Sequence, residues 1–504
     1  MARVITDYLD LVVKKYPDKL AVSLDKQELT FKGLQVISKK IATSIIKKGL
    51  KNNPIIILLD KSPKTIVSLM GVAYSGNYYT ILDNTMPVDR MKKIIEILSP
   101  KILITDEKNF KIATDIFSSE KILLYEQMRD FEHTDDLLIQ DRVKSIIDTD
   151  ILYILFTSGS TGDPKGVIIS HKATIAYTEW GTKAFNVDCN TIIGNQTPFY
   201  FSMSVFDIFQ MIKNGSTLYI IPKIMFSFPM LLLRFISEKK INLIYWVPSA
   251  LCLVANLKAL GKVDISCVDK VLFAGEVMPA KQYNLWKNAL PKAYFANLYG
   301  PTETTDICNY YPILREINDD EVIPIGNACE NAEILILDEN DRMAAKNEIG
   351  ELCVKGSILA YGYFGNKKQT EKAFIQNPIN DKYPEIIYRT GDLVRYNCRD
   401  ELIFVCRKDF QIKHMGHRIE LGEVELAISS HPDVERVCCL YDEKRKEIVT
   451  FYIGSANIDN LSDFLRLKVP KYMLPNKFYK LKSFPINING KIDRIKLREM
   501  LENG

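Results

Sequence analysis

The chain has 504 residues, 47% of them hydrophobic and 25% charged. That composition excludes wholesale disorder and any fibrous class and, at about 100–200 residues per domain, predicts two to four globular domains. With 66 basic and 62 acidic residues the net charge is only +4, so nucleic acid is not an expected partner. The longest apolar runs, such as Ile55 to Leu59, stop far short of the roughly 18 residues of a membrane span.

In chain order, Ile5, Tyr8, Leu9 and Val12 mark the buried face of a first helix. Asp7 and Asp10 interrupt its apolar stretch and no small-residue cleavage site follows, which is unlike a signal peptide. The 10 cysteines contain no C-x-x-C pair, adjacent Cys438 and Cys439 are poorly placed to bridge, and His414 and His417 lack zinc spacing. Reduced thiols and a cytoplasmic location are therefore expected. Pro54 to Leu59 and Lys101 to Thr105 read as buried strands, and Pro63 to Tyr74 and Met91 to Leu98 as the helices around them. Ser62 is a plausible N-cap, and Pro63 sits in the first turn, where a missing N–H is harmless. The charged stretch from Phe131 to Asp150 reads as a surface excursion. Val271 to Phe273 and Lys281 to Leu290 continue the strand–helix alternation, which implies parallel sheets covered by helices.

From about Ile334 strands dominate (AEILIL, GELCVKG, ELIFVC), as in a small antiparallel or barrel-like unit. Arg407 to Gly504 mixes a helix, Leu421 to Ser429, with strands Val434 to Asp442 and Glu447 to Ile453. The expected fold is an α/β large N-terminal domain, residues 1–406, made of two α/β subdomains plus a small β-barrel. A small mobile α+β C-terminal domain, residues 407–504, follows.

Four segments carry chemistry. Thr157 to Gly166, TSGSTGDPKG, follows a strand and offers hydroxyls, backbone N–H groups and Lys165 to an anion. It is neither Walker A nor the Rossmann fingerprint. Asn297 to Thr304, NLYGPTET, places an aromatic, a hydroxyl and a carboxylate together: Tyr299 to pack on a base, Thr302 to bind a phosphate oxygen, Glu303 to hold Mg²⁺. Tyr388 to Leu393, YRTGDL, offers Asp392 to a ribose hydroxyl. Asn489 to Arg494, NGKIDR, sets Lys491 beside a hairpin-type turn. Taken singly, each also suits an ordinary turn or a solvated side chain.

In this order the four segments resemble the adenylate-forming superfamily: acyl- and aryl-CoA synthetases, firefly luciferase and the adenylation domains of nonribosomal peptide synthetases. LTFKGL (Leu29 to Leu34), GVAYSGNYYTILDNTMPVDR (Gly71 to Arg90), FAGEVMP (Phe273 to Pro279), GELCVKGSILAYGYFG (Gly350 to Gly365) and RKDFQIKHMGHRIELGEVE (Arg407 to Glu425) extend the resemblance over nearly the whole chain. The last of these, with NGKIDR, is similar to the amino-acid-adenylating branch, and stand-alone D-alanine–carrier-protein ligases are similar in particular.

The resemblance implies a ligase that uses ATP and Mg²⁺ to turn a carboxylic acid into an acyl-adenylate. Pyrophosphate is released, and the acyl group then passes to a phosphopantetheine thiol. Thr157, Ser158, Gly159, Ser160, Thr161, Gly162 and Lys165 would hold the β- and γ-phosphates, and Glu303 the metal. Tyr299, with Asn297, Gly300 and Thr302, would form the adenine side, and Asp392 and Arg407 the ribose side. Lys491 would bridge the substrate carboxylate and the α-phosphate. The small domain would turn about a hinge at Asp409, exchanging Lys491 for a face containing Gly416. Cys406 stands where many relatives carry glycine. No carrier-protein segment follows Lys491 and no condensation domain precedes Met1, so the expected acceptor is a separate carrier protein, with CoA as the alternative.

The acyl pocket departs from the pattern. Amino-acid-activating relatives carry an aspartate in an F-D-x-S motif to meet the substrate's α-ammonium; this chain reads Phe201-Ser202-Met203-Ser204. A buried ammonium without a counter-charge is costly, so an ordinary α-amino acid is not the expected substrate. Carrying over the other pocket positions gives Met203, Phe206, Trp246, Leu272, Ala274, Leu298, Asp306 and Ile307, most of them apolar. Asp306 has three open roles: binding an amine remote from the carboxylate, binding a phenolic hydroxyl, or facing away to cap a helix. Asp207 is read as structural. Aryl, β- or ω-amino and small hydroxy or keto acids all remain open.

Overall fold

The computed structural model describes residues 2–131, 134–158, 163–408, 411–485 and 492–502. Gly159, Ser160, Thr161, Gly162 and Lys491, expected at the site, and Asp409, expected as the hinge, lie outside the described residues. The chain divides into two units. The first is Met1–Asn84, Leu98–Phe156 and Gly166–Lys408; the second is Thr85–Ile97, Thr157–Lys165 and Asp409–Gly504.

The first unit is built on a nine-stranded sheet whose middle is parallel. Tyr294–Tyr299, Lys270–Phe273, Leu243–Trp246, Ile192–Asn195, Thr217–Ile220 and Leu20–Leu24 lie side by side in that order. Antiparallel strands close it at both edges: Asn309–Pro312 and Asn327–Ala328 at one, Gln27–Thr30 at the other. Parallel strands are covered on both faces and so read as continuous apolar runs; all four residues of Leu243–Trp246 are buried.

A second sheet of six strands contains Pro54–Leu58, Tyr78–Leu82 and Ile102–Thr105, each buried along its whole length. Pro63–Tyr74 is a helix with Pro63 in its first turn, as expected, but the Ser62 side chain makes no cap hydrogen bond. Helix Phe31–Ile46 begins where the Thr30 hydroxyl accepts the Gly33 N–H. The stretch read as a surface excursion contains a helix, Asp136–Lys144, whose first turn is capped by Asp135 accepting the Leu138 N–H at 3.0 Å and which buries Ile139. The third sheet is antiparallel, of Ala332–Leu337, Gly350–Gly356, Ile386–Tyr396 and Phe374–Gln376, with Leu402–Arg407 paired to Ile386–Tyr396. No helix among the described residues is long and apolar enough to cross a membrane.

In the second unit, Gln411–His414 and His417–Glu420 form a hairpin. Met415 and Gly416 supply its turn, with φ of 52° and 79°, the paired positive dihedrals that two-residue hairpins use. Helix Leu421–Ser429 follows, then a sheet of Val434–Asp442, Glu447–Gly454 and Lys477–Lys480. Arg90 and Glu423, both buried, form an ion pair within this unit.

Candidate active site

In the first unit the segment NLYGPTETTDI is the tip of an antiparallel hairpin. Tyr294–Tyr299 runs out, a single 3₁₀ turn covers Thr302–Thr304, and Asn309–Pro312 runs back with Tyr299 opposite Asn309. The two arms approach closely at Gly300, where a Cβ would stand 2.2 Å from the Asp306 carbonyl oxygen and 2.6 Å from the Ile307 Cα. Only glycine fits there. Thr305 has φ 67° and ψ −44°, and the Asp306 N–H bonds the Thr304 carbonyl at 2.8 Å. This is a γ-turn of the rare positive-φ kind. A β-branched residue held there stores roughly 1–3 kcal/mol of strain, and the Thr305 hydroxyl secures it by donating to the Ile358 carbonyl at 2.8 Å. The turn sends Glu303 and Asp306, three residues apart, to different neighbours.

Glu303 is fully buried and accepts the Tyr363 hydroxyl at 2.7 Å. A hard carboxylate of this kind suits Mg²⁺, which takes one or two protein carboxylates and completes its shell with phosphate oxygens and water. The opposite side of Tyr299 forms a second corner. Its phenol donates to Asp392, and burial and the Asp392 charge both push that phenol well above its ordinary range. Asp392 also accepts Arg407 Nη1 at 2.7 Å, and the same nitrogen donates to the Thr390 carbonyl at 2.7 Å. Asp392 and Arg407 are register partners on adjacent strands. With one donor on each carboxylate oxygen, Asp392 keeps acceptor capacity for ribose hydroxyls. Asn297 donates its amide to the Pro324 carbonyl at 2.8 Å, tying the adenine-side strand to the next loop.

Asp306 is buried, and its Oδ2 accepts Tyr177 at 2.6 Å and Tyr245 at 3.0 Å. Burial pushes its carboxyl up to about 6, while hydrogen bonds from Tyr177, Tyr245 and Ser202 pull it down. Asp306 does not cap a helix. Ser202 Oγ lies 3.5 Å from Thr302 Oγ1, so hydroxyls form a path from Thr302 through Ser202 to Asp306. Met203, Phe206, Leu272, Ala274, Leu298 and Ile307 are all buried in the same core. Asp207 accepts the Asn195 amide at 2.7 Å, and burial pushes its carboxyl up to about 8, in keeping with a structural role.

Trp246 is buried in the same core but faces the other side of its strand from these residues. Side chains alternate along a strand. Tyr245 is in register with Leu272, and Trp246 with Phe273. Tyr245 packs on Phe206 with ring centroids 5.3 Å apart, whereas Trp246 donates its indole to the Gly194 carbonyl at 2.8 Å and packs on Phe226. On the face of Leu272 this strand presents Tyr245 rather than Trp246. Trp246→Phe is expected to lower the melting temperature without changing KM for the acid. Tyr245→Phe, which removes a buried donor to a carboxylate (a loss of about 1–3 kcal/mol), is expected to raise that KM. Melting curves and acid titrations of the two variants check this.

The phosphate-loop residues that are described lie in the second unit. Thr157 Oγ1 is buried with no hydrogen-bond partner among the described residues, which fits a donor awaiting a ligand oxygen. The Ser158 hydroxyl donates to the Arg418 carbonyl at 2.7 Å and accepts the Glu420 N–H at 3.2 Å. Lys165 Nζ lies 3.4 Å from a Glu420 carboxylate oxygen. The sequence pointed to Ser158 and Lys165 but to neither of these partners. It also offered no motif for Tyr177, on helix His171–Ala184, and although Tyr363 lies within GELCVKGSILAYGYFG, nothing there pointed to its bond with Glu303.

Residues 9–364 match the model of the AMP-binding enzyme family. The D-alanine–D-alanyl carrier protein ligase of Bacillus licheniformis is 31% identical over 504 aligned residues, covering 97% of this chain and 98% of the relative. Among solved structures, the Vibrio cholerae adenylation domain AlmE in complex with glycyl-adenosine-5'-phosphate superposes with a TM-score of 0.85 at 20% identity, covering 100% of this chain and 98% of that one. Holo-PA1221, an NRPS protein containing adenylation and PCP domains, superposes with a TM-score of 0.84 at 19% identity over 99% of this chain and 84% of that one.

Proposed function

This chain belongs to the AMP-binding enzyme family and is an adenylate-forming ligase, and from that premise we propose that it activates a carboxylic acid other than an ordinary α-amino acid and passes it to the thiol of a separate carrier protein. The observation that carries the substrate reading is Ser202. A neutral hydroxyl stands where an α-ammonium would need a carboxylate, and the acid that this hydroxyl bonds, Asp306, is also held by Tyr177 and Tyr245. The similarity to a carrier protein ligase supports the acceptor.

In the first half-reaction a substrate carboxylate oxygen bonds to the α-phosphorus of ATP and the bond to pyrophosphate breaks; no proton moves. A carboxylate is a weak nucleophile and the phosphorus is ringed by negative charge, so positioning and charge neutralisation carry the rate. Thr157, Ser158 and Lys165, with Gly159, Ser160, Thr161 and Gly162, grip the leaving phosphates. Glu303 holds Mg²⁺, which neutralises phosphate charge when bound. Asp392 orients the ribose with Arg407, and Tyr299 packs against the base. Lys491 meets the charge that builds between carboxylate and α-phosphate. In the second half-reaction the thiol sulfur bonds to the acyl carbon, the bond to AMP breaks, and the thiol proton leaves to solvent.

Lys491→Ala is expected to slow acid-dependent pyrophosphate exchange by about 10²-fold, the effect of deleting one oxyanion donor; unchanged exchange would remove Lys491 from the mechanism. The acceptor is tested by supplying holo-carrier protein or CoA at equal concentration and following AMP release. Preference for CoA would overturn the carrier-protein assignment.

A further inference from the structure

Asp306 is a buried acid that this mechanism leaves unexplained. Two phenols donate to one of its oxygens, Tyr177 from helix His171–Ala184 and Tyr245 from strand Leu243–Trp246, an arrangement that suits a carboxylate, and Ser202 at the start of helix Met203–Asn214 bonds it too, so its partners among the described residues are neutral hydroxyls. Among the described residues, the other titratable groups that sense it are also not cations: the Tyr153 phenol, the Cys329 thiol, and Asp207, whose carboxyl burial pushes up to about 8. A carboxylate taken out of water without a counter-charge is unstable relative to one that is paired. A fourth neutral donor, such as a phenol, would leave the buried negative charge in place, whereas an ammonium removes it. Ser202 lies between Thr302 and Asp306, so a substrate would have to extend past Ser202 to reach the acid.

We propose that Asp306 is the counter-ion of a protonated amine on the substrate, borne beyond the α-carbon, so that the acid activated is an aliphatic β- or ω-amino acid. The proposal rests on the adenylation reading above. Tyr177 and Tyr245 hold the carboxylate in place, and Ser202 leaves the route to it open where a carboxylate would close it.

Pyrophosphate exchange decides the matter, run with β-alanine and 4-aminobutanoate against propanoate and butanoate, both hands of alanine, 3-hydroxybenzoate and 3-aminobenzoate, whose amine is uncharged at pH 7.5. The expected result is a kcat/KM for an aliphatic β- or ω-amino acid at least about 10²-fold above its amine-free counterpart, the effect of leaving a buried charge unpaired. Asp306→Asn is expected to erase most of that preference. In the Asp306→Asn background, Ser202→Asp is expected to move it toward alanine. A preference for hydroxybenzoate or for amine-free acids overturns the ammonium assignment alone, as does a preference that survives Asp306→Asn. Exchange with no acid in the panel overturns both this proposal and the adenylation reading beneath it. The wild-type preference is decisive by itself should a variant not fold.

Discussion

Asp392→Ala is expected to reduce kcat/KM for ATP by about 10³-fold and to lower the melting temperature as well. Asp392 is the shared acceptor of two donors, the buried Tyr299 phenol and the largely buried Arg407 guanidinium, and the side chains of Asp392 and Arg407 are only 4% and 12% exposed. Removing one partner of a buried ion pair costs about 3–5 kcal/mol, because the other charge stays buried and unpaired. Here the loss falls on both fold and function. Arg407 and Tyr299 come from different sheets, so without the carboxylate they lose the contact that sets the ribose side against the adenine side. Asp392→Asn should be milder, since an amide oxygen still accepts one of the two donors. ATP titrations of pyrophosphate exchange, read beside melting curves, separate the two effects. An unchanged KM for ATP in folded Asp392→Ala would place the ribose elsewhere.

Gly300→Ala is expected to be nearly as damaging to activity. The atoms a Cβ would meet are backbone, with the Asp306 carbonyl oxygen at 2.2 Å, so no side chain can turn aside to make room. The hairpin arms must part, and the segment between them carries Glu303, the strained Thr305 and Asp306. A displacement of about 1 Å at a reacting group can reduce rate by 10²-fold, and this one moves the metal ligand and the pocket acid together. Exchange should fall by at least about 10²-fold at saturating ATP and acid, with the rest of the chain still folded by circular dichroism. Full activity in Gly300→Ala would mean that the hairpin tip does not position the site.

Much of this was legible in the sequence, for local reasons. The buried strands announce themselves because parallel strands covered on both faces must be apolar along their length. The helix at Pro63 is marked by its own first residues, and Gly300 by its place in a run of chemistry-bearing residues. What stayed hidden depends on distant partners. Whether Tyr245 or Trp246 lines the pocket is a one-residue question of facing, and such a slip sends a side chain to the other side of the sheet. Asp306 acquires its meaning from Tyr177 and Tyr245, which belong to other elements and no motif. The bend at Thr305 is invisible because nothing in the sequence marks a threonine for positive φ; the surrounding hairpin and the bond to Ile358 impose it. The helix at Asp136–Lys144 was missed because its apolar pattern is weak, although Asp135 supplies a cap.

The central claim is that the chain joins a carboxylate to the α-phosphorus of ATP. Its most direct test is mass spectrometry of the quenched mixture of enzyme, ATP, Mg²⁺ and an acid that supports exchange, with no thiol acceptor present. The account predicts an acyl-adenylate bound to the enzyme, formed together with one equivalent of pyrophosphate, and its loss with AMP release once holo-carrier protein is added. ADP and phosphate in place of pyrophosphate, with no acyl-adenylate at any time, would contradict it.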